Sequence, residues 1–219
     1  MIITLAFVNG FQEKVADKIF GFWGHIRVQK YEAGKSLVSE ELPLIRNKEV
    51  EKNISATPRI ISYNSFATKS AVLESQTDIE GVLIKGIEKN ENHSALKKFL
   101  VAGRWMQFTD SLYSKETIVS DAVAKQLQIK INDTIKVHFV STNADAQKTY
   151  RKLVVVGFYH TGIDEYDKLF MIADINLIRR INNWEPDQIG GYEVFVDQYQ
   201  NIDAISGGLS NALPSEWMS

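Results

Sequence analysis

Tyr159 to Lys168, YHTGIDEYDK, carries the densest set of potential ligands in the sequence. His160, Asp164, Glu165 and Asp167 fall within eight residues. Such groups suit hard-cation binding or carboxylate acid–base work. The spacing does not match an EF-hand, which needs alternating acids and a terminal Glu. One histidine in a loop makes no zinc constellation, and His25, His93 and His138 stand in unrelated contexts. The plainer reading is a solvated acidic turn bent at Thr161-Gly162. No G-x-x-x-x-G-K-S/T loop, no G-x-G-x-x-G after a strand and no G-x-S-x-G elbow is present. The expectation is a binding or coupling module, with no catalytic residue, no cofactor and no metal.

A second candidate is the polar stretch from Ser141 to Lys152. It holds no apolar side chain larger than alanine until Tyr150. It links the alternating run TIKVHFV, Thr134 to Val140, to the continuous apolar run LVVVGF, Leu153 to Phe158, and together these read as a hairpin with a protruding tip. Composition alone leaves that tip as either a plain exposed loop or a docking element.

The elements that would position these groups follow from periodicity. Phe7, Phe11, Val15 and Ile19 recur every four residues, with Phe22 three later, which draws an apolar stripe along a first helix. Gly21 and Gly24 offer its stop, and a strand follows from His25 to about Glu32. A short helix is expected from about Lys48 to Ser55, stopped by Pro58. Arg59 to Ser75 and Gln76 to Glu88 read as an antiparallel hairpin, with Ile79, Val82 and Ile84 at the apolar positions of the second strand. Gly86 sits late in that strand, which signals a bulge or a close backbone approach. Leu96, Phe99 and Leu100 form a short helical face, and Trp105 is a packing residue. Ser120 caps a helix to about Leu127, and Asn132 stands where a turn needs positive φ. Leu169 to Ile172 is a short strand. Asp174 caps a helix to about Asn182, with Leu177, Ile178 and Ile181 inward and Arg179-Arg180 outward. Tyr192 to Val196 is the last strand, and Ile202, Ile205, Leu209 and Leu213 mark a last helix. Trp217 near the end has the look of an interfacial aromatic.

Composition bounds the rest. The 219 residues are 44% apolar, enough for a real core, and the net charge is -2 with both signs mixed. That balance gives no reason to expect nucleic acid or anionic lipid. There is no cysteine, which excludes disulfides and thiolate metal sites. No apolar run nears the ~20 residues of a membrane span. The start lacks a basic n-region and a cleavage site, so an exported domain of this kind is expected as a fragment of a longer polypeptide.

Four stretches, in this order, carry a family resemblance. NGFQEKVADKIFGFWGHIRV resembles the segment after the first membrane helix in permeases of the lipoprotein-releasing ABC transporter type. IEGVLIKGIE resembles their strand ending in a Lys-Gly-Ile/Val turn. IVSDAVAKQLQIKINDTIKV resembles their strand–helix–strand unit, departing with Asn132-Asp133 where Gly-Asp is common. LVVVGFYHTGIDEYDKLFMI resembles the strand and loop that follow. The chain thus looks like a MacB-like periplasmic core domain of the FtsX-like permease family.

The resemblance implies an α+β fold with two lobes. A porter-like lobe of mixed sheet and helices would comprise residues 1–91 and 189–219, and an inserted sabre-like lobe residues 92–188. It implies an extracytoplasmic domain, on the periplasmic face of the bacterial inner membrane, that couples ATP hydrolysis by a cytoplasmic subunit to lipoprotein release or substrate export. The implied partners are that ATPase subunit, a second permease subunit, and a lipoprotein substrate or periplasmic lipoprotein carrier. In some relatives the hairpin tip hooks the carrier. The matching residues here are Tyr150, Arg151 and Lys152, on a tip that is shorter and lacks the family's proline. The alternative is a free-standing soluble enzyme or ligand-binding protein using the His160 to Asp167 loop.

Overall fold

The structure is a computed structural model that describes residues 14–30, 39–75, 78–109, 112–139, 150–197 and 199–219. The polar stretch 141–149 and the apolar start, including Phe7 and Phe11, lie outside the described residues. Helix α1 covers the described residues 14–23. It stops where Gly24 turns to φ +74° and its N–H donates to the Phe20 carbonyl, a conformation glycine adopts without strain.

Strand β1 (Ile26–Lys30) follows, then β2 (Leu44–Ile45), α2 (Lys48–Ala56), β3 (Ile60–Glu74) and β4 (Ile79–Ile87). Next come α3 (Ser94–Lys97), β5 (Leu100–Gly103), β6 (Glu116–Ser120), α4 (Asp121–Gln126), β7 (Thr134–Phe139) and β8 (Tyr150–Tyr159). The chain ends with α5 (Asp164–Leu169), β9 (Phe170–Asp174), α6 (Ile175–Asn182), β10 (Gln188–Ile189), β11 (Gly191–Val196), α7 (Ile202–Ala212) and β12 (Trp217–Met218).

The caps lie where the sequence places them. The Ser120 hydroxyl accepts from the Val123 N–H, Asp174 accepts from the Asn176 N–H, and Asn132 has φ +73°.

Strand β3 organises the sheet. Its first half pairs with β11 and its second half with β7, while β4 runs antiparallel along it from Phe66 to Glu74. The order β12-β1-β11-β3-β4-β9-β6-β8-β5 is joined across by β7, which pairs with both β3 and β8. Strands β3, β4, β9, β6, β8 and β7 therefore close into a ring, which removes their free edges. Residues 92–188, expected as the inserted lobe, supply the ring's β6 to β9, and β3 and β4 from before them complete it.

Alternation decides which side chains fill the ring. Leu73, Val82, Ile84, Val119, Val137, Leu153, Val155 and Met171 belong to one buried apolar cluster. The opposite face of the same strands carries Leu83, Ile118, Val156, Phe170 and Ile172, which pack with Phe22 and Trp23 of α1 in a second cluster.

Several expected positions fall elsewhere. Ile79 is 63% exposed, because the inward residues of β4 are even-numbered and Ile79 lies off that phase. Leu100 begins a strand, β5, rather than ending a helix. Trp217 is only 8% exposed and packs near Tyr192, ring centroids 6.0 Å apart, so it is a core residue. Gly86 marks a close approach: a Cβ there would stand 2.9 Å from the Ile175 Cα of α6.

Candidate functional site

The last turn of α1 is driven into the place where the β1–β11–β3 section and the ring meet. The Phe22 ring lies 5.4 Å from Phe170 and 5.7 Å from Tyr159, and Trp23 meets Phe170 edge-on at 4.9 Å. Buried Tyr159 fixes the neighbouring loop by donating to the Phe170 carbonyl at 2.8 Å.

Two cations close this junction. Lys85, from β4, is wholly buried. Its Nζ pairs with Glu193 of β11 at 2.6 Å, donates to the Phe22 carbonyl, and lies 4.4 Å from the centre of the Trp23 ring. Arg27, from β1, sits 4.8 Å from the Trp23 ring centre and 4.6 Å from that of Phe66, and pairs with Glu41 at 2.8 Å. Burial pushes the Lys85 ammonium down and the Glu193 carboxyl up, and each charge pulls the other back toward its ionised form. Four elements, α1, β1, β4 and β11, thus meet at one point, around a Lys85–Glu193 pair shut off from solvent.

Sequence reasoning passed over Lys85 and Glu193. The available signal was a charge inside each apolar strand, VLIKGI and YEVFV, at positions alternation would bury.

A second polar centre adjoins it. Arg46 reaches Glu51 at 3.0 Å and Glu91 at 3.7 Å, and Arg179 reaches Glu88 at 2.9 Å. Arg179, expected outward, is 5% exposed because α6 lays it against Glu88 and the Gln188 carbonyl. Burial pushes the Glu91 carboxyl up to about 7, although Ser65 donates to it from both N–H and hydroxyl. Between the carboxyl's ordinary value and 7 the folded chain holds a proton that the unfolded chain has released. Stability from this group is complete at low pH and is lost as pH rises through 7, at up to about 1.4 kcal/mol per pH unit. Glu91→Gln should flatten that slope between pH 5 and 8 in denaturant titrations. An unchanged slope would place the titration elsewhere.

The acidic loop is a folded device. Asp167, expected as part of a solvated turn, is 3% exposed. Its carboxylate accepts from the Thr161 N–H and hydroxyl and from the Gly162 N–H, all at 2.9 Å. Gly162 has φ +72°, which makes the bend. Asp121, His160 and Asp167 bring one ligand atom each within 4.8 Å of one another, and His160 Nδ1 is 3.0 Å from Asp121 and 3.3 Å from Asp167. The Asp167 oxygens are already taken up by loop donors, so calorimetric titration with Ca²⁺, Zn²⁺ or Mn²⁺ should show no site tighter than about millimolar. A micromolar site would overturn this.

The predicted partner residues lie at the start of β8 rather than in a loop. Tyr150 pairs with His138, Arg151 with Val137 and Lys152 with Lys136. Alternation therefore divides the trio: Tyr150 and Lys152 share a face, and Arg151 lies on the other, with Val137. The shared face also carries Glu74, which pairs with both Lys136 and His138 at 2.5 Å. Those two bonds hold the Glu74 carboxyl below its usual range. Tyr150 is 49% exposed, with its ring 5.7 Å from His138.

The family model of the MacB-like periplasmic core domain matches residues 1–207. The chain belongs to this family. It is similar to the lipoprotein-releasing system transmembrane protein LolE of Haemophilus influenzae, 23% identical over 205 residues, which are 90% of this chain and 46% of that protein. It is similar to LolC, of the same description, from Buchnera aphidicola, 26% identical over 208 residues, 88% of this chain and 46% of that protein. The chain thus spans about half the length of the curated relatives it matches. Among solved structures, the extracellular domain of the noncanonic ABC-type transporter YknZ from Gram-positive bacteria matches with a TM-score of 0.56 at 13% identity. That match covers 88% of this chain and 97% of the other. The periplasmic region of MacB from Actinobacillus actinomycetemcomitans matches with a TM-score of 0.55 at 12% identity, over 88% of this chain and 86% of the other. These likenesses agree with the mixed α+β fold. Among the described residues no helix is long and apolar enough to cross a membrane.

Proposed function

We propose that this MacB-like domain is the extracytoplasmic part of an ABC transporter permease and acts as a mechanical coupler without enzymatic activity of its own. In this reading it stands on the periplasmic face of the bacterial inner membrane, and a cytoplasmic ATPase subunit drives it through membrane helices. It works beside a second permease subunit and moves a lipoprotein toward a periplasmic carrier, or exports another substrate. The observation that carries the reading is the junction of α1. Its last turn is held by Lys85, Glu193, Trp23 and Phe170 to both the β1–β11–β3 section and the ring, so a displacement of α1 must move both. A packed, charge-tied junction transmits displacement because it deforms little. We keep residues 1–91 with 189–219, and 92–188, as its two functional lobes. The alternative, an enzyme or ligand-binding protein using the acidic loop, has less support, because the most buried carboxylate there serves as a loop acceptor.

Partner contact is assigned to the Tyr150 face, with Lys152 beside it and Arg151 on the opposite face. Tyr150 is the one large side chain of hot-spot type there. A photo-crosslinking amino acid at position 150 of the parent permease, in membranes, should give an adduct with a lipoprotein or its soluble carrier. Adducts at a remote control such as Lys125 and none at 150 would move the contact elsewhere. Tyr150→Ala should weaken that partner's binding by about tenfold, with Lys152→Glu adding to it and Arg151→Glu having less effect.

A further inference from the structure

We propose that the cleft between α1, α3 and the outer ends of β3 and β11 binds an anionic amphiphile, an alkyl chain ending in a phosphate or carboxylate. The cleft holds about 540 Å³, within the range of small-molecule sites. Its floor is aromatic. The Phe20 and His25 rings stack with centroids 4.8 Å apart, and His25 meets Phe195 edge-on at 6.1 Å. His25 belongs to this floor as a neutral ring: its Nδ1 accepts from the Val196 N–H at 3.3 Å, and burial pushes its pKa down. Phe99 closes one side against α1. It can do so because position 21 is glycine: a Cβ there would stand 2.9 Å from the Phe99 ring. Ile61, exposed, adds apolar surface to the lining.

The charge in this cleft is opposite to that of the chain. Lys14, Lys18 and Lys98 line it and form no ion pair among the described residues, against one carboxylate, Asp17. The whole chain carries -2. Unpaired cations around an aromatic floor complement a ligand that is anionic at one end and apolar along the other. The three lysines belong to neither the charge pair of the α1 junction nor the Tyr150 face, so the inference does not rest on the transport reading.

Dodecyl phosphate, below its critical micelle concentration, is the probe, titrated into the full chain by calorimetry. Saturable binding is expected. The triple variant Lys14→Gln, Lys18→Gln, Lys98→Gln should weaken it by about tenfold, a modest contribution from each exposed charge. The remote set Lys52→Gln, Lys125→Gln, Lys130→Gln should leave it unchanged. Dodecyl maltoside, which lacks the charge, and inorganic phosphate, which lacks the chain, should each bind at least about tenfold more weakly. Phosphatidylglycerol vesicles compared with phosphatidylcholine vesicles separate the sources. Preferential binding to the former assigns the ligand to a bilayer, and binding of the monomer alone assigns it to a free amphiphile. Equal affinity for dodecyl maltoside, an unaffected triple variant, or no saturation would overturn the proposal.

Discussion

Lys85→Ala should destabilise the domain by about 3–5 kcal/mol, because it leaves the Glu193 carboxyl without its partner in a dry interior. For a chain of this size that is a fall in melting temperature of roughly 10 °C. Glu193→Ala should cost a similar amount, since it leaves the Lys85 amine beside the Trp23 ring without its partner. The double change Lys85→Met with Glu193→Leu removes both charges at similar volume, and should restore most of the stability. Thermal or denaturant unfolding of the three variants decides it. Additive losses in the double variant would mean that the two residues do not act as a pair, and the junction would have to be held by its aromatic packing alone.

Gly86→Val is expected to be the next most damaging change, at about 3 kcal/mol, because overpacking here meets backbone rather than a movable side chain. The added Cβ would stand 2.8 Å from the Ile178 Cδ1 and 2.9 Å from the Ile175 Cα, forcing α6 off the sheet. Gly81→Val, on the same strand, is the control. Nothing lies within 4 Å of a Cβ there, and valine suits a strand, so the change should be neutral or slightly stabilising. Equal destabilisation by the two substitutions would show that the loss comes from the strand itself rather than from the α6 contact.

These two sites mark the reach of the sequence. Gly86 was readable, because a glycine inside an apolar strand has few explanations and close approach is one of them. The caps at Ser120 and Asp174 and the positive φ of Asn132 were readable for the same reason: each is a local rule with a local cause. The long β3–β4 hairpin followed from strand-forming residues on either side of a short polar turn. What periodicity could not supply is pairing between strands far apart in sequence. That β3 divides its length between β11 and β7, and so closes the ring, depends on contacts more than 60 residues away.

The misplaced residues likewise owe their burial to tertiary contacts. Arg179 is buried because Glu88 of a distant segment meets it, and Asp167 because its own loop folds over it. Trp217 is drawn into the core by pairing of β12 with β1. Arg179 and Asp167 were read as solvated and Trp217 as interfacial, and in each case a tertiary contact that periodicity does not show made burial favourable. Tyr150, Arg151 and Lys152 illustrate the same limit at the candidate contact. They were readable as a cluster in sequence, but the strand that carries them sends alternate side chains to opposite faces.

The family places this chain among periplasmic domains, and the central proposal is that it turns the movement of α1 into work on a substrate. The most direct measurement is release of a labelled lipoprotein from membranes holding the parent transporter, with ATP hydrolysis followed in the same samples. Intact transporter is compared with one in which residues 14–219 are replaced by a short flexible linker. The account predicts that hydrolysis persists while release is lost. Release at the intact rate without this domain would contradict it.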